Sequence, residues 1–106
     1  MDTRKFKIDN TTTTFVHKIK LKFKPATIIL FGSRATGNAK EYSDYDFIII
    51  SDAFKNTHWL ERISQIVPFW DSDRSIDILP YTKQEFNRKK KQSSVVQQAI
   101  LTGVEI

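Results

Sequence analysis

Two short, unbroken apolar runs limit this fold more than any other feature of the chain: Thr27-Ile28-Ile29-Leu30-Phe31 and Phe47-Ile48-Ile49-Ile50. Both are short for a core helix and rich in β-branched or aromatic side chains, which pack well on a pleated surface. A strand with one wet face alternates apolar and polar residues. A strand that is apolar throughout is buried on both faces and needs helices on both sides of its sheet. The rest of the chain offers those helices. Trp59, Leu60, Ile63, Ile66 and Val67 recur at helical spacing between Thr57, a predicted N-cap, and Pro68, a predicted stop. Ser75 to Tyr81 predicts a third strand. Thr82-x-x-Glu85 has the capping-box pattern and opens a basic helix through Arg88-Lys89-Lys90-Lys91. Val95, Val96, Ala99 and Ile100 predict a last helix that stops near Gly103.

Residues 15–24 fit two templates. His17 to Lys24 alternates like a strand, whereas Phe15, Ile19 and Phe23 recur every four residues like a helix. The threonine run Thr11–Thr14, a source of N-caps, and the helix-favouring lysines tilt the balance towards a helix closed by Pro25. Strands alternating with helices give an α/β (α+β) class, with helices packed on a small sheet.

At 106 residues the chain reads as a single domain, 1–106, because a second core does not fit. No apolar stretch reaches transmembrane length, and Met1-Asp2-Thr3-Arg4-Lys5 lacks the apolar run of a signal peptide. No membrane association and a cytoplasmic location are the expectations. The absence of cysteine removes disulfide scaffolds, zinc-thiolate sites and thiol nucleophiles together. Two histidines, His17 and His58, are too few for most histidine-built metal sites.

The net charge of +5 is unevenly spread. Residues 1–24 carry +5, residues 25–40 carry +2, residues 41–77 carry −5 and residues 78–106 carry +3. An acidic middle in a basic chain suggests a cation site. Its basic flanks suggest a polyanion such as a polyphosphate or nucleic acid.

Three carboxylates stand out because they adjoin apolar strands. Asp44 and Asp46 are separated by one residue, so on a strand they share a face with backbones about 6.6 Å apart. Like charges so placed repel, and one pKa rises unless a cation neutralises them. Carboxylates are hard oxygen ligands suited to Mg²⁺ or Mn²⁺. Asp77 lies between Ile76 and Ile78 in the third strand. If that strand lies beside the second, three carboxylates converge, enough for two metals about 3.5–4 Å apart. Gly32-Ser33 follows the first strand, where glycine allows close backbone approach and Ser33 offers a hydroxyl and an N–H to a phosphate. Arg34 adds a permanent cation able to grip the same phosphate. Taken singly, each feature has a plain structural alternative: Asp-x-Asp in a turn, Arg34 on the surface, Asp77 paired with Arg74. Their order along the chain argues for one site.

Phe31-Gly32-Ser33-Arg34-Ala35-Thr36-Gly37, Ser43-Asp44-Tyr45-Asp46 and Ile76-Asp77-Ile78 together resemble the signature of the DNA polymerase β-like nucleotidyltransferase superfamily. The short chain and the ten residues between Gly-Ser and Asp-x-Asp are most similar to the minimal nucleotidyltransferases, small prokaryotic proteins often encoded beside a HEPN-domain partner. The resemblance spans about residues 12–105 and implies a helix over 12–24 and a small mixed sheet with flanking helices. It also implies that Gly32 and Ser33, with Arg34 assisting, bind the triphosphate of ATP or another nucleoside triphosphate. Asp44 and Asp46 would ligate Mg²⁺ ions, with Mn²⁺ an alternative. Asp77 would hold the catalytic metal and help activate the acceptor hydroxyl. In the subgroup the nucleotidyltransferase is an antitoxin that transfers AMP to a tyrosine of its HEPN toxin, so an oligomer or hetero-complex is expected. The toxins' ribonuclease motif, an arginine followed four to six residues later by a histidine, does not occur here.

Three activities therefore fit the sequence: an active Mg²⁺-dependent transferase, a nucleotide- or toxin-binding module of the same fold with little turnover, and a nucleic-acid binder using Arg88–Lys91 and the lysine-rich N-terminus.

Overall fold

A computed structural model describes residues 8–106. The N-terminal residues Met1–Lys5, read above for a signal peptide, and the basic residues Arg4, Lys5 and Lys7 lie outside the described residues. The elements run α1 (Asn10–Lys22), β1 (Thr27–Phe31), α2 (Ser33–Thr36), β2 (Tyr45–Ile50), α3 (Trp59–Ile66), β3 (Ile76–Tyr81), α4 (Lys83–Gln92), α5 (Ser94–Thr102) and β4 (Val104–Glu105), with short 3-10 turns at Asp52–Phe54 and Val67–Phe69. The sheet order is β3-β2-β1-β4. β1 pairs antiparallel with β2 and β4, while β2 pairs parallel with β3, so the sheet is mixed.

The helical template wins over residues 10–22. Phe15, Val16 and Ile19 of α1 are buried, and the alternating lysines face solvent. Lys20 and Lys22 fall in the last turn, where they complement the helix dipole. The cap is Asp9 rather than a threonine: its carboxylate accepts the Thr12 N–H at 2.8 Å, and the threonine run lies inside the helix.

β2 is sandwiched on both faces. On one, Phe47 and Ile49 meet Phe15 and Ile19 from α1, Ile66 from α3, and Phe54. On the other, Ile48 and Ile50 meet Tyr81 and the Val96 and Ala99 of α5. Each fully buried Ile or Phe stabilises the fold by about 1.5–3 kcal/mol. The unbroken apolar run is thus the signature of this double burial.

α3 departs from its sequence pattern. Its N-cap is His58, whose Nδ1 accepts the Leu60 N–H at 3.2 Å, rather than Thr57. Thr57 instead presents its carbonyl to Arg62 Nε at 2.8 Å. Pro68 does not end the helix at once but sits in the following 3-10 turn. Leu60 and Val67 remain exposed, whereas Arg62 is buried. Arg62 Nη1 donates to the Pro80 carbonyl at 3.0 Å and to Glu85 at 2.6 Å, and Nη2 donates to the same carboxylate. Glu85 also closes the capping box of α4 on Thr82. The ion pair and the backbone carbonyls satisfy a guanidinium that burial would otherwise penalise heavily. No helix among the described residues is long and apolar enough to cross a membrane.

Candidate functional site

The sheet register brings the singled-out acids together. β1 ends where β2 begins, with Phe31 opposite Asp46. The parallel pairing of β3 then sets Asp77 directly beside Asp46. Gly32, the residue after β1, adopts φ +73°. A Cβ added there would collide with the Asp46 carboxylate. Two constraints therefore require glycine: a positive φ, and an acidic side chain packed against its backbone. The Gly-Ser turn and the acids form one site, with half-buried Asp46 at its centre and Asp44 and Asp77 exposed around it.

The electrostatics of this centre are unbalanced. The Asp46 carboxyl is pushed up to about 6, first by burial, then by the Asp77 charge and a hydrogen bond with Asp77, and last by the Asp44 charge. No cationic side chain offsets those influences on Asp46. Arg74, the sequence-level partner for Asp77, instead lies 3.6 Å from Glu41. Among the described residues no three His, Cys, Asp or Glu side chains are drawn tightly enough around one point to form a ready metal cage. The donor chemistry nevertheless fits a hard divalent cation: the ligands are all carboxylate oxygens, and a cation would relieve their mutual repulsion. Because Asp44 and Asp77 are exposed, they have rotamer freedom to close around such an ion.

Beyond Gly32, the one-turn α2 carries the N–H groups of Ser33 and Arg34. As the first two of the turn, they have no carbonyl of the same turn to bond. Ser33 and these amides adjoin the acid cluster through Gly32.

Arg34 lies elsewhere. Its guanidinium stacks over the Tyr45 ring, 4.2 Å from the centroid. Its Nη2 donates to the carbonyls of Ser43 at 2.9 Å and Glu41 at 3.2 Å. Tyr45 packs with the α1 side of the core, and successive strand residues point to opposite faces, so Arg34 sits across the sheet from Asp46. The expected phosphate contact is thus displaced by a structural one: Arg34 clamps the loop that delivers Asp44. The Tyr45 hydroxyl completes the network by donating to Asp9. Burial pushes the Asp9 carboxyl up, but bonds from Tyr45 and Thr12 and the Arg34 charge outweigh it and hold the group below its ordinary value. Sequence reasoning missed Asp9 and Tyr45. Strand alternation could have flagged Tyr45, which is bound to face away from both neighbouring acids.

The sequence profile of the nucleotidyltransferase domain family matches residues 13–102. The fold is also similar to a crystal structure from Sulfolobus solfataricus described as "a putative nucleotidyltransferase", with TM-score 0.64 and 20% identity over 90% of this chain and 75% of that one. No curated protein matches the sequence.

Proposed function

This chain belongs to the nucleotidyltransferase domain family, and on that footing we propose that it transfers AMP from ATP to a hydroxyl of a protein partner. The observation that carries this reading is the packing of Gly32 against an Asp46 carboxylate that is itself paired with Asp77. It joins the Gly-Ser turn to a cluster of acids on which no cationic side chain acts.

Asp44, Asp46 and Asp77 would hold Mg²⁺ or Mn²⁺, which when bound neutralises charge developing on the attacking and leaving oxygens. Gly32, lacking a Cβ, lets the Asp46 carboxylate pack against the turn, and Ser33 would donate to the triphosphate through hydroxyl and amide. Arg34 contributes by holding the Ser43 carbonyl, and with it Asp44, in place. Asp77, on the exposed side of the pair, would accept the proton of the incoming hydroxyl. That oxygen bonds to the α-phosphorus as the bond to pyrophosphate breaks.

The acceptor we infer is a tyrosine of a HEPN-domain toxin, which makes this chain an antitoxin. Support comes from the resemblance described above and from α5, whose Val95, Ile100 and Leu101 are exposed on a helix adjoining the site. Incubation with labelled ATP and Mg²⁺, with and without a HEPN partner, tests the reading. Label should appear on the partner and vanish with Asp44→Asn. ATP binding without any transfer would leave the binding-module reading instead.

A second reading rests on a separate groove of about 420 Å³ lined by Lys55, Lys83, Arg88 and Lys91, with Asp52 as its one acid. Four cations along one groove would suit a nucleic-acid backbone, and RNA affinity falling steeply with salt would favour it.

A further inference from the structure

The groove lined by Lys55, Lys83, Arg88 and Lys91 has a neighbour on the other side of α4. There a pocket of about 330 Å³ is lined by Trp59, Tyr81, Glu85, Arg88 and Lys89. Arg88 lines both, so the two hollows meet at one guanidinium. We propose that together they bind single-stranded RNA or DNA, with the backbone in the cationic groove and one base stacked on Trp59, an inference that rests on the second reading above and adds the form of nucleic acid and the way a base is held.

The groove has the chemistry of a backbone site. Its one acid, Asp52, is already engaged, by the Lys55 ammonium at 3.8 Å and by the Lys83 N–H at 3.1 Å. No ion pair among the described residues ties up Lys83, Arg88 or Lys91, and all three side chains are exposed. They recur at helical spacing, so one face of α4 presents them in a row.

The pocket has the chemistry of a base site. Trp59 is half-buried: part of its ring packs on Tyr81, with centroids 5.4 Å apart, and the rest lines the pocket. Every base has a π-face, so stacking on an indole needs no particular sequence. Glu85 is held by both terminal nitrogens of Arg62, so its charge is matched, while Arg88 and Lys89 add cations to the rim. A duplex keeps its bases stacked on one another and can use the groove alone. An acidic peptide matches the groove but has no use for the aromatic wall. A single strand matches both.

This surface lies away from the acids. Tyr81 is four residues along β3 from Asp77, about 13 Å at the rise of a strand. A bound strand therefore leaves the Gly-Ser turn open.

The test titrates the full chain with an oligouridylate, an oligothymidylate of the same length, the matching DNA duplex and polyglutamate, read by competition and by tryptophan emission. One or both single strands should bind and quench the emission through Trp59, because Trp70 packs against the core. The tighter strand names the natural sugar. The duplex and polyglutamate should bind at least about tenfold more weakly and without quenching. Trp59→Leu should weaken the single strand by about tenfold or more and leave the duplex unchanged. Arg88→Glu, at an exposed position where folding is not at stake, should weaken every nucleic acid and flatten the salt dependence. Salt-dependent binding of single strands without quenching, or equal affinity for the duplex, would overturn the stacked base and leave the backbone reading standing. Tighter binding of polyglutamate would assign the surface to an acidic protein and overturn both. So would binding of none of the four, or binding unaltered in Arg88→Glu.

Discussion

Tyr45 and Asp46 are neighbours in sequence and opposites in environment. On the Tyr45 face, polar groups find partners: the hydroxyl bonds Asp9, the ring lies under Arg34, and Arg34 bonds two loop carbonyls. On the Asp46 face, acids meet acids, and the Asp46 carboxyl is driven up to about 6. One face is arranged for stability. The other holds a repulsion that a proton on Asp46 or a bound cation would relieve. Because the two residues share one stretch of backbone, the satisfied face fixes the position of the unsatisfied one. The Arg34 clamp on Ser43 and the Tyr45 anchor on Asp9 bracket Asp44 and hold the start of β2 rigid.

If this division holds, substitutions on the two faces separate activity from stability. The largest effect belongs to Asp46→Asn. It should abolish detectable transfer in the labelled-ATP assay while the melting temperature rises or stays level, because a repelling, half-buried charge is gone. Asp77→Ala comes next. Nucleotide should still bind through Gly32, Ser33, Asp44 and Asp46, and the chemical step in single-turnover kinetics should fall ~100-fold or more, the scale of a general-base contribution. Normal turnover in folded Asp77→Ala would reduce the site to two carboxylates.

The Tyr45 face should behave in the reverse sense. Tyr45→Phe removes the hydroxyl that Asp9 accepts and should cost about 1–2 kcal/mol in urea denaturation, with transfer largely retained. A loss of transfer matching that of Asp46→Asn, with stability unchanged, would merge the two faces into one.

Much of this was legible in the sequence, and the limits have physical causes. β1 and β2 announce themselves because their unbroken apolar runs pack on both faces of the sheet, and the edge strand β3 shows through the apolar residues that flank the exposed Asp77. The acids were legible because their spacing and strand context are unusual for surface charge. The side on which Arg34 lies was not. Adjacency to Gly32-Ser33 suggested a phosphate ligand, but a long side chain goes where tertiary partners lie, and the Glu41 and Ser43 carbonyls are seven and nine residues away, respectively. Arg62 was hidden for the same reason, since Glu85 is 23 residues distant. His58 displaced Thr57 as a cap because both can accept an N–H and the start of α3 decides between them. β4 has only two residues, too few to show a period.

The smallest expected effect is on pH dependence. Asp46 has a folded-state pKa raised from 3.8 to about 6, so between those values the folded state binds more protons than the unfolded one. Stability should therefore decline as pH rises from about 4 to about 6 and level off above, where Asp46 is charged in both states. Asp46→Asn should lack that decline. Asp9, held below its ordinary value, acts with the opposite sign and loses its contribution only as pH falls through the acid range.

The central claim is that the acids at the strand ends await a cation, and thermal melting against added Mg²⁺ tests it without substrate or partner. A ligand that binds only the folded state raises stability by mass action. The melting temperature of the unmodified protein and of Tyr45→Phe should climb with Mg²⁺ concentration at fixed ionic strength, whereas that of Asp46→Asn should not. Equal Mg²⁺ responses in all three proteins, or none in the unmodified chain, would contradict the account.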